Sequence, residues 1–199
     1  MMKTFLQVFV AGVIILALTG CNSGHLRERN PQPSDRRFTP SQKQKRPNFH
    51  SHPDLALHHR DEVLRCARQF NIDHRFLLAL IQSESSGRCG AVSPDKAYGL
   101  FQLRVPTARN YDPAATGRRL LKADYNIFIA CRHYRWLKHQ IDHRFGDASE
   151  YQKLMLIVAA WNAGIGEVIK HNGIPHFRES KTLVRRVAKK YDEYVRLGV

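Results

Sequence analysis

Acidic residues are scarce in this sequence, with 17 Asp and Glu against 32 Lys and Arg in a chain of 199 residues. The resulting formal charge of +15 favours contact with anionic polymers and surfaces. Residues 54–199 also lack the alternation of apolar and polar side chains that predicts half-buried strands. The length leaves room for one medium-sized domain with a tail and excludes two large domains.

Long apolar runs are almost absent as well. The one run, from about residue 5 to residue 18, is shorter than the roughly 20 residues that a membrane-spanning helix needs. Lys3 precedes this run and Leu18-Thr19-Gly20-Cys21 ends it, which is typical of a secretory signal. The tetrapeptide resembles the bacterial lipobox, whose cysteine is lipidated and becomes the N-terminus after cleavage. We therefore expect residues 1–20 to be a lipoprotein signal peptide and Cys21 to be acylated; a spanning helix and an ordinary signal are the alternatives.

Residues 21–53 are polar and contain five prolines, Pro31, Pro33, Pro40, Pro47 and Pro53. Such a segment cannot bury enough apolar surface to fold, so we expect a disordered, lipidated, basic tether. It would hold the domain of residues 54–199 at a membrane of the bacterial envelope, facing the periplasm. The residue after Cys21 is Asn22 and not an aspartate. In this respect the sequence resembles lipoproteins that are sent to the outer membrane.

The domain itself is basic, because residues 54–199 contain 24 Lys or Arg and 15 Asp or Glu, a net charge of +9. Nucleic acid is a common partner of basic proteins, but an exported protein seldom meets it. We therefore expect anionic polymers of the envelope, and no nucleic acid, as the counterpart of this charge.

Export also permits disulfides. With Cys21 acylated, Cys66, Cys89 and Cys131 remain, so one of the three has no partner within the chain. Cys66 and Cys131 lie in amphipathic helical stretches that can face one another in a core, whereas Cys89 lies in a loop. The sequence leaves the pairing open.

Apolar residues from Asp54 onward recur at intervals of three and four, as they do on one face of a helix. The first sets are Val63, Leu64, Ala67 and Phe70, then Phe76, Leu77, Leu80 and Ile81. Further helices are predicted at about 120–141, 151–163, 165–171 and 181–197, separated by glycine and proline signals. The predicted fold class is therefore all-α.

Glu84 follows a fully apolar stretch, residues 76–81, near the end of one predicted helix. Asp73 is placed to cap the start of that helix, and Gly87 with Gly90 can end it. Partial burial at such a place disfavours the carboxylate and raises its pKa from about 4.3 towards roughly 6, as a glycosidase general acid requires. An exposed glutamate at a helix end is the alternative interpretation.

Several sequence blocks give Glu84 a context. Residues 79–86 read Ala-Leu-Ile-Gln-Ser-Glu-Ser-Ser, residues 91–94 Ala-Val-Ser-Pro, residues 99–102 Gly-Leu-Phe-Gln and residues 159–164 Ala-Ala-Trp-Asn-Ala-Gly, with a last block near Glu179. In order and spacing they resemble the soluble-lytic-transglycosylase-like family over about residues 60–195. The resemblance implies a lysozyme-like helical domain with a sugar-binding groove.

The resemblance also implies roles for individual residues. It makes Glu84 the sole catalytic acid/base and places six residues along the groove: Ser93, Phe101, Gln102, Trp161, Asn162 and Glu179. Gln102 can hydrogen-bond to amino sugars, and Trp161 offers a flat face to a sugar ring. A solvated glutamine, core packing of Trp161 and a helix-end role for Asn162 are the alternatives.

The implied reaction is non-hydrolytic cleavage of the β-1,4 bond between MurNAc and GlcNAc in peptidoglycan, which leaves 1,6-anhydro-MurNAc ends. Glu84 would protonate the leaving oxygen and then accept the proton of the C6 hydroxyl, with the substrate's acetamido group assisting at C1. This chemistry requires neither metal nor cofactor. General wall turnover and local opening of the wall beside an envelope transport or secretion machine both fit.

Two other functions stay open. A hydrolytic muramidase ordinarily uses a second carboxylate, and Asp95 is the nearest candidate, although Ser93-Pro94-Asp95-Lys96 has the composition of a β-turn. The second alternative is a non-catalytic peptidoglycan-binding lipoprotein, which two departures from the family pattern would support. These are Phe101, where methionine is common, and Leu183, where tyrosine is common and a hydroxyl contact is lost.

A metal site is the alternative interpretation of the histidine-rich helix, where His139 and His143 are spaced as metal ligands can be, near His133 and Cys131. No HExxH motif is present in the sequence. A solvated basic helix face accounts for the same pattern, so no metal site is predicted.

Overall fold

Helices make up most of the part of the chain that this computed structural model describes, residues 54–199. The predicted signal peptide of residues 1–20, Cys21 and the tether of residues 21–53 lie outside the described residues. The elements, in chain order, are a 3₁₀ turn Leu55–His59, α1 Arg60–Phe70, α2 His74–Ser85, β1 Ala97–Tyr98, β2 Leu103–Arg104, α3 Val105–Arg109, α4 Gly117–Leu120, α5 Ala123–Arg144, α6 Glu150–Ala163, α7 Ile165–Lys170 and α8 Arg178–Leu197. The prediction of an all-α domain is confirmed.

Helix α2 lies at the centre of the core. Residues 76–81 have no exposed surface, since α1, α8 and the 3₁₀ turn pack around the helix. The ring of Phe76 lies 5.5 Å from that of Tyr134 on α5 and 6.4 Å from that of Tyr191 on α8, measured between centroids. A helix that is apolar on every side belongs in a core. The stretch that precedes Glu84 therefore fixes where that glutamate emerges.

Both ends of α2 are set by local chemistry. Asp73 caps its start as predicted: the carboxylate accepts hydrogen bonds from the backbone N–H of Arg75 and from the hydroxyl of Tyr191, each at 2.9 Å. At the other end the structure differs, because Ser86 is the cap, in the left-handed region with φ of 53°. Gly87 follows with φ of 76°, where a Cβ would lie 2.3 Å from the backbone of the 3₁₀ turn. Close packing, rather than helix termination, explains this glycine.

Helices α5, α6 and α8 enclose the rest of the core. Helix α6 packs against α5 and α8 and begins with a capping box between Ser149 and Gln152, which satisfies backbone N–H groups that the first turn leaves free. The short strands β1 and β2 pair antiparallel, with Ala97 opposite Arg104. Two residues per strand leave no alternating pattern in the sequence, so this hairpin was not predicted.

The structure shows the state of the three cysteines whose pairing the sequence left open. The thiols of Cys66 and Cys131 are buried, and that of Cys66 donates to the carbonyl of Ile127 at 3.8 Å, while Cys89 is exposed. All three are free, so residues 54–199 contain no disulfide. None of the helices within this region is long and apolar enough to cross a membrane.

Candidate active site

A groove with a volume of about 530 Å³ lies beside the C-terminal end of α2. The hairpin loop of residues 93–104, α3, α5, the end of α6 and the start of α8 contribute its walls. It brings together all but one of the residues that the sequence predicted for the site, namely Glu84, Ser93, Gln102, Trp161, Asn162 and Glu179. The exception is Phe101.

Glu84 enters this groove from the last turn of α2. Burial raises the pKa of Glu84 from its ordinary value of 4.5 to about 7, and the positive charge of Arg186 on α8 acts in the opposite direction. Desolvation disfavours the charged carboxylate, which is the physical cause of the upward shift. A carboxyl group with a pKa near neutrality can donate a proton and later accept one, as an acid/base catalyst must.

Asn126 of α5 holds the hairpin loop from inside the core. This fully buried side chain accepts a hydrogen bond from the N–H of Phe101 at 2.9 Å and donates to the carbonyls of Tyr98 at 2.9 Å and Leu120 at 2.8 Å. Gly99 lies against it with φ of 75°, and a Cβ there would be 2.5 Å from the amide nitrogen of Asn126. Sequence reasoning missed Asn126, since nothing near it in α5 identifies these distant partners.

Gln102 lies at the groove wall with a positive φ of 46°. Its side-chain nitrogen donates to the carbonyl of Gly99 at 2.9 Å and to that of Ala91 at 3.3 Å. The side chain of Gln102 therefore stabilises the hairpin loop that carries it, a structural role that the sequence did not indicate. Its contact with an amino sugar stays a prediction.

Phe101 is not among the residues that line the groove, so its contact with a glycan stays a prediction. The ring has no exposed surface and packs behind the wall, with its centroid 5.9 Å from that of Trp161. The indole N–H of Trp161 donates to the carbonyl of Phe101 at 3.2 Å. The apolar ring of Phe101 is buried in the core, while its backbone orients the tryptophan that does line the groove.

Asn162 is exposed in the last turn of α6 and its side-chain oxygen accepts a hydrogen bond from the hydroxyl of Ser180 at 2.7 Å. The C-cap of α6 is Gly164, with φ of 87°, so Asn162 does not end the helix. Glu179 is exposed in the first turn of α8, next to buried Ser180. The hydrogen bond thus joins the two helix ends that border Glu84.

Ser93 and Asp95 form a turn at the groove's edge. The hydroxyl of Ser93 accepts a hydrogen bond from the N–H of Ala97 at 3.0 Å, and its carbonyl accepts one from Lys96 at 3.0 Å. The Asp95 side chain is 80% exposed and lies 3.8 Å from the guanidinium of Arg104. These contacts agree with the β-turn interpretation of this segment.

A second cavity, of about 500 Å³, shares Glu84, Asn162 and Glu179 with the groove. Its other walls come from one face of α8 and include Arg178, Thr182, Leu183 and Arg186. Glu84 therefore borders both cavities, one lined by aromatic and hairpin residues and one by basic residues of α8.

Comparison with known proteins identifies the domain. Residues 63–184 match the family model described as Transglycosylase SLT domain. The chain belongs to this family. It is 24% identical over 131 residues to the "Membrane-bound lytic murein transglycosylase F" of Hahella chejuensis, a match that covers 66% of this chain and 23% of the relative.

Solved structures of the same kind share its fold. An inactive mutant of the lytic transglycosylase Slt from Pseudomonas aeruginosa matches with a TM-score of 0.54 and 24% identity, covering 69% of this chain and 24% of that one. The 70 kDa soluble lytic transglycosylase of Escherichia coli matches with a TM-score of 0.54 and 22% identity, over 68% of this chain and 24% of its own. The chain thus spans about a quarter of each relative's length, and the predicted lysozyme-like fold class is confirmed.

One departure from the family pattern lies within this SLT domain at α8. Leu183 is 3% exposed and lines the second cavity beside Glu84 and Arg186. An apolar side chain at this position packs into the core and offers no hydrogen bond to the cavity. The hydroxyl contact that a tyrosine at this position would provide is therefore expected to be missing from the second cavity, which Glu84 borders.

Several groove residues of the SLT domain were not assigned to the site from the sequence, among them His133 and Trp136 of α5. Their spacing of three residues places them on one face of the helix, but the sequence does not say which face meets the groove. In the sequence, His133 is notable only as a neighbour of the possible metal ligands His139 and His143. Among residues 54–199, no three His, Cys, Asp or Glu side chains are grouped as a metal site needs.

Proposed function

We propose that this chain is a peptidoglycan lytic transglycosylase in which Glu84 is the sole acid/base. One observation carries the proposal: a glutamate with a pKa of about 7 opens into a groove large enough for a glycan. Ligand pockets of some 300–1,000 Å³ are typical of small-molecule sites. Its relatives are named lytic transglycosylases, which supports the same activity.

The reaction begins with protonated Glu84. It donates its proton to the oxygen that joins MurNAc to GlcNAc, the bond from that oxygen to C1 of MurNAc breaks, and GlcNAc leaves with a free 4-hydroxyl. The acetamido carbonyl oxygen of MurNAc forms a bond to C1 and stabilises the positive charge there. The Glu84 carboxylate then accepts the proton of the C6 hydroxyl while O6 bonds to C1 and displaces the acetamido oxygen. Glu84 is protonated again, and the product is a 1,6-anhydro sugar.

A single carboxylate suffices for this sequence, because the substrate provides both internal nucleophiles. Hydrolysis would ordinarily need a second carboxylate held at a fixed separation from the acid. Asp95 is a poor candidate, since its side chain is 80% exposed in a turn and paired with Arg104. We therefore expect Asp95→Asn to keep most of the activity.

Digestion of purified peptidoglycan tests the role of Glu84. A chain that begins at residue 22 should release anhydro-ended muropeptides, identified by mass spectrometry. Glu84→Gln should lower this rate by about 10²- to 10⁴-fold, the usual contribution of one proton transfer, with an unchanged melting transition at acidic pH. Glu62→Gln, on α1 outside both cavities, is the matched control. A folded Glu84→Gln protein with full activity would contradict the proposal.

We also propose that Cys21 anchors the enzyme in the envelope, facing the periplasm, with the outer membrane as the destination. The support is the sequence of residues 18–22, together with the words "membrane-bound" in the name of one relative. Two or more acyl chains give stable membrane binding. Radiolabelled palmitate should enter the parent chain and not Cys21→Ser, which should move to the soluble fraction; equal labelling of both would contradict the anchor.

A further inference from the structure

An aromatic cluster occupies the part of the groove formed by α5. The rings of His133 and Trp136 are stacked, with 12° between their planes and 5.9 Å between their centroids. His133 in turn lies 4.8 Å from Trp161, again between centroids. The three rings therefore form a continuous series along the wall, from Trp161, next to Asn162, to Trp136.

Trp136 stands out in this series because 43% of its surface is exposed, although it lines a groove. Ligand-binding pockets are lined predominantly by hydrophobic and aromatic side chains, so an open aromatic ring on a groove wall fits a binding site. The hydroxyl of Tyr111 bonds to Nδ1 of His133 at 2.9 Å, which fixes the imidazole behind the indole. One face of the Trp136 ring is thus packed on the imidazole of His133, and much of the rest is open to solvent.

The electrostatics of this cluster suit an uncharged ligand. Burial lowers the pKa of His133 to about 4, so the imidazole is neutral at physiological pH. Side chains of Thr107 and Asn110 on the neighbouring wall also line the groove and can donate and accept hydrogen bonds. An aromatic face flanked by a hydroxyl and an amide matches a pyranose ring, which has apolar C–H faces and a rim of hydroxyl groups.

We propose that Trp136, supported by His133, forms a distal sugar-binding subsite that stacks on one ring of the glycan at a distance from the bond that is cut. This inference rests on the proposed function, because it assigns a further contact to the same glycan. It makes the enzyme sensitive to strand length: a strand that reaches Trp136 binds more tightly than a short fragment that fills only the space next to Glu84.

Calorimetric titration tests the subsite without any turnover. The Glu84→Gln protein is titrated with N-acetylglucosamine oligomers of two to six units. The same titrations are then made with a double variant that also carries Trp136→Ala. We expect the affinity of the first protein to rise with oligomer length. Trp136→Ala should weaken binding of the hexamer by about tenfold, equivalent to about 1.4 kcal/mol, and leave binding of the dimer unchanged. Phe128→Ala, which removes a ring 39% exposed on the same helix but outside the groove, should change neither.

Fluorescence gives a second readout, since the chain contains two tryptophans and both line the groove. The hexamer should shift the emission of a Trp161→Phe protein, in which Trp136 is the reporter, and the dimer should not. Binding of the hexamer that is equally tight with and without Trp136 would overturn the inference, as would equal weakening at every length. Either result, obtained while the parent chain still yields anhydro products, would leave the proposed function intact.

Discussion

Two opposing influences set the proton affinity of Glu84. Burial in the groove raises its pKa to about 7, and Arg186 on α8 lowers it. The proton that starts the reaction must be present on the free enzyme, so the alkaline limb of kcat/KM reports this pKa. We expect activity to fall as the pH rises through about 7.

Replacing Arg186 with glutamine should move this alkaline limb to higher pH. Removing the positive charge destabilises the carboxylate, so Glu84 keeps its proton to a higher pH. The shift of the limb should be about half a pH unit, because an exposed charge pair contributes roughly 0.2–1 kcal/mol. Arg185→Gln removes the same charge from the adjacent position, outside both cavities, and should leave the limb in place. Profiles of kcat/KM against pH measure both, and a limb that stays fixed or moves down in Arg186→Gln would refute the assignment.

The hairpin loop that carries Gln102 depends on one buried side chain of α5. Asn126→Ala would leave the N–H of Phe101 and the carbonyls of Tyr98 and Leu120 without their partner. Each unsatisfied buried group costs about 1–3 kcal/mol, so we expect a loss of several kcal/mol in the free energy of unfolding, together with lower activity.

Urea denaturation of Asn126→Ala measures that loss. Asn110→Ala is the control for stability, because Asn110 is exposed and its side chain makes no hydrogen bond within residues 54–199. A change of less than about 1 kcal/mol on removing Asn126 would show that the loop is held by other contacts.

Local signals in the sequence were enough to predict α1, α2 and α5 to α8, but not the short helices α3 and α4. Asp73 caps α2 through its own backbone neighbours, and the apolar stretch of residues 76–81 predicts burial without knowledge of its partners. Contacts between distant segments were not predictable in this way. The motif around residue 101 indicates proximity to Glu84 but not the direction of each side chain, and the positive φ at Gln102 accompanies a turn in which Phe101 is buried and Gln102 faces the groove. Asn126, His133 and Trp136 were missed for the same reason.

The charge of the whole domain predicts a difference between substrates. Residues 54–199 carry a net charge of +9, which attracts an anionic polymer over a range that salt shortens. Raising NaCl from low concentration to about 0.5 M, where the Debye length is only a few ångström, should slow the digestion of intact peptidoglycan, whose stem peptides carry carboxylates. Affinity for neutral N-acetylglucosamine oligomers should hardly change. Equal salt dependence for the two would mean that the net charge has no part in substrate capture.

Digestion in water labelled with heavy oxygen tests the central claim most directly, namely that Glu84 alone cleaves the glycan without hydrolysis. The chain that begins at residue 22 and its Glu84→Gln counterpart are incubated with peptidoglycan in this water, and the released muropeptides are analysed by mass spectrometry. The account predicts anhydro ends that contain no heavy oxygen and that disappear with Glu84→Gln. Reducing ends with one heavy oxygen at C1 would show that water is the nucleophile and would contradict it.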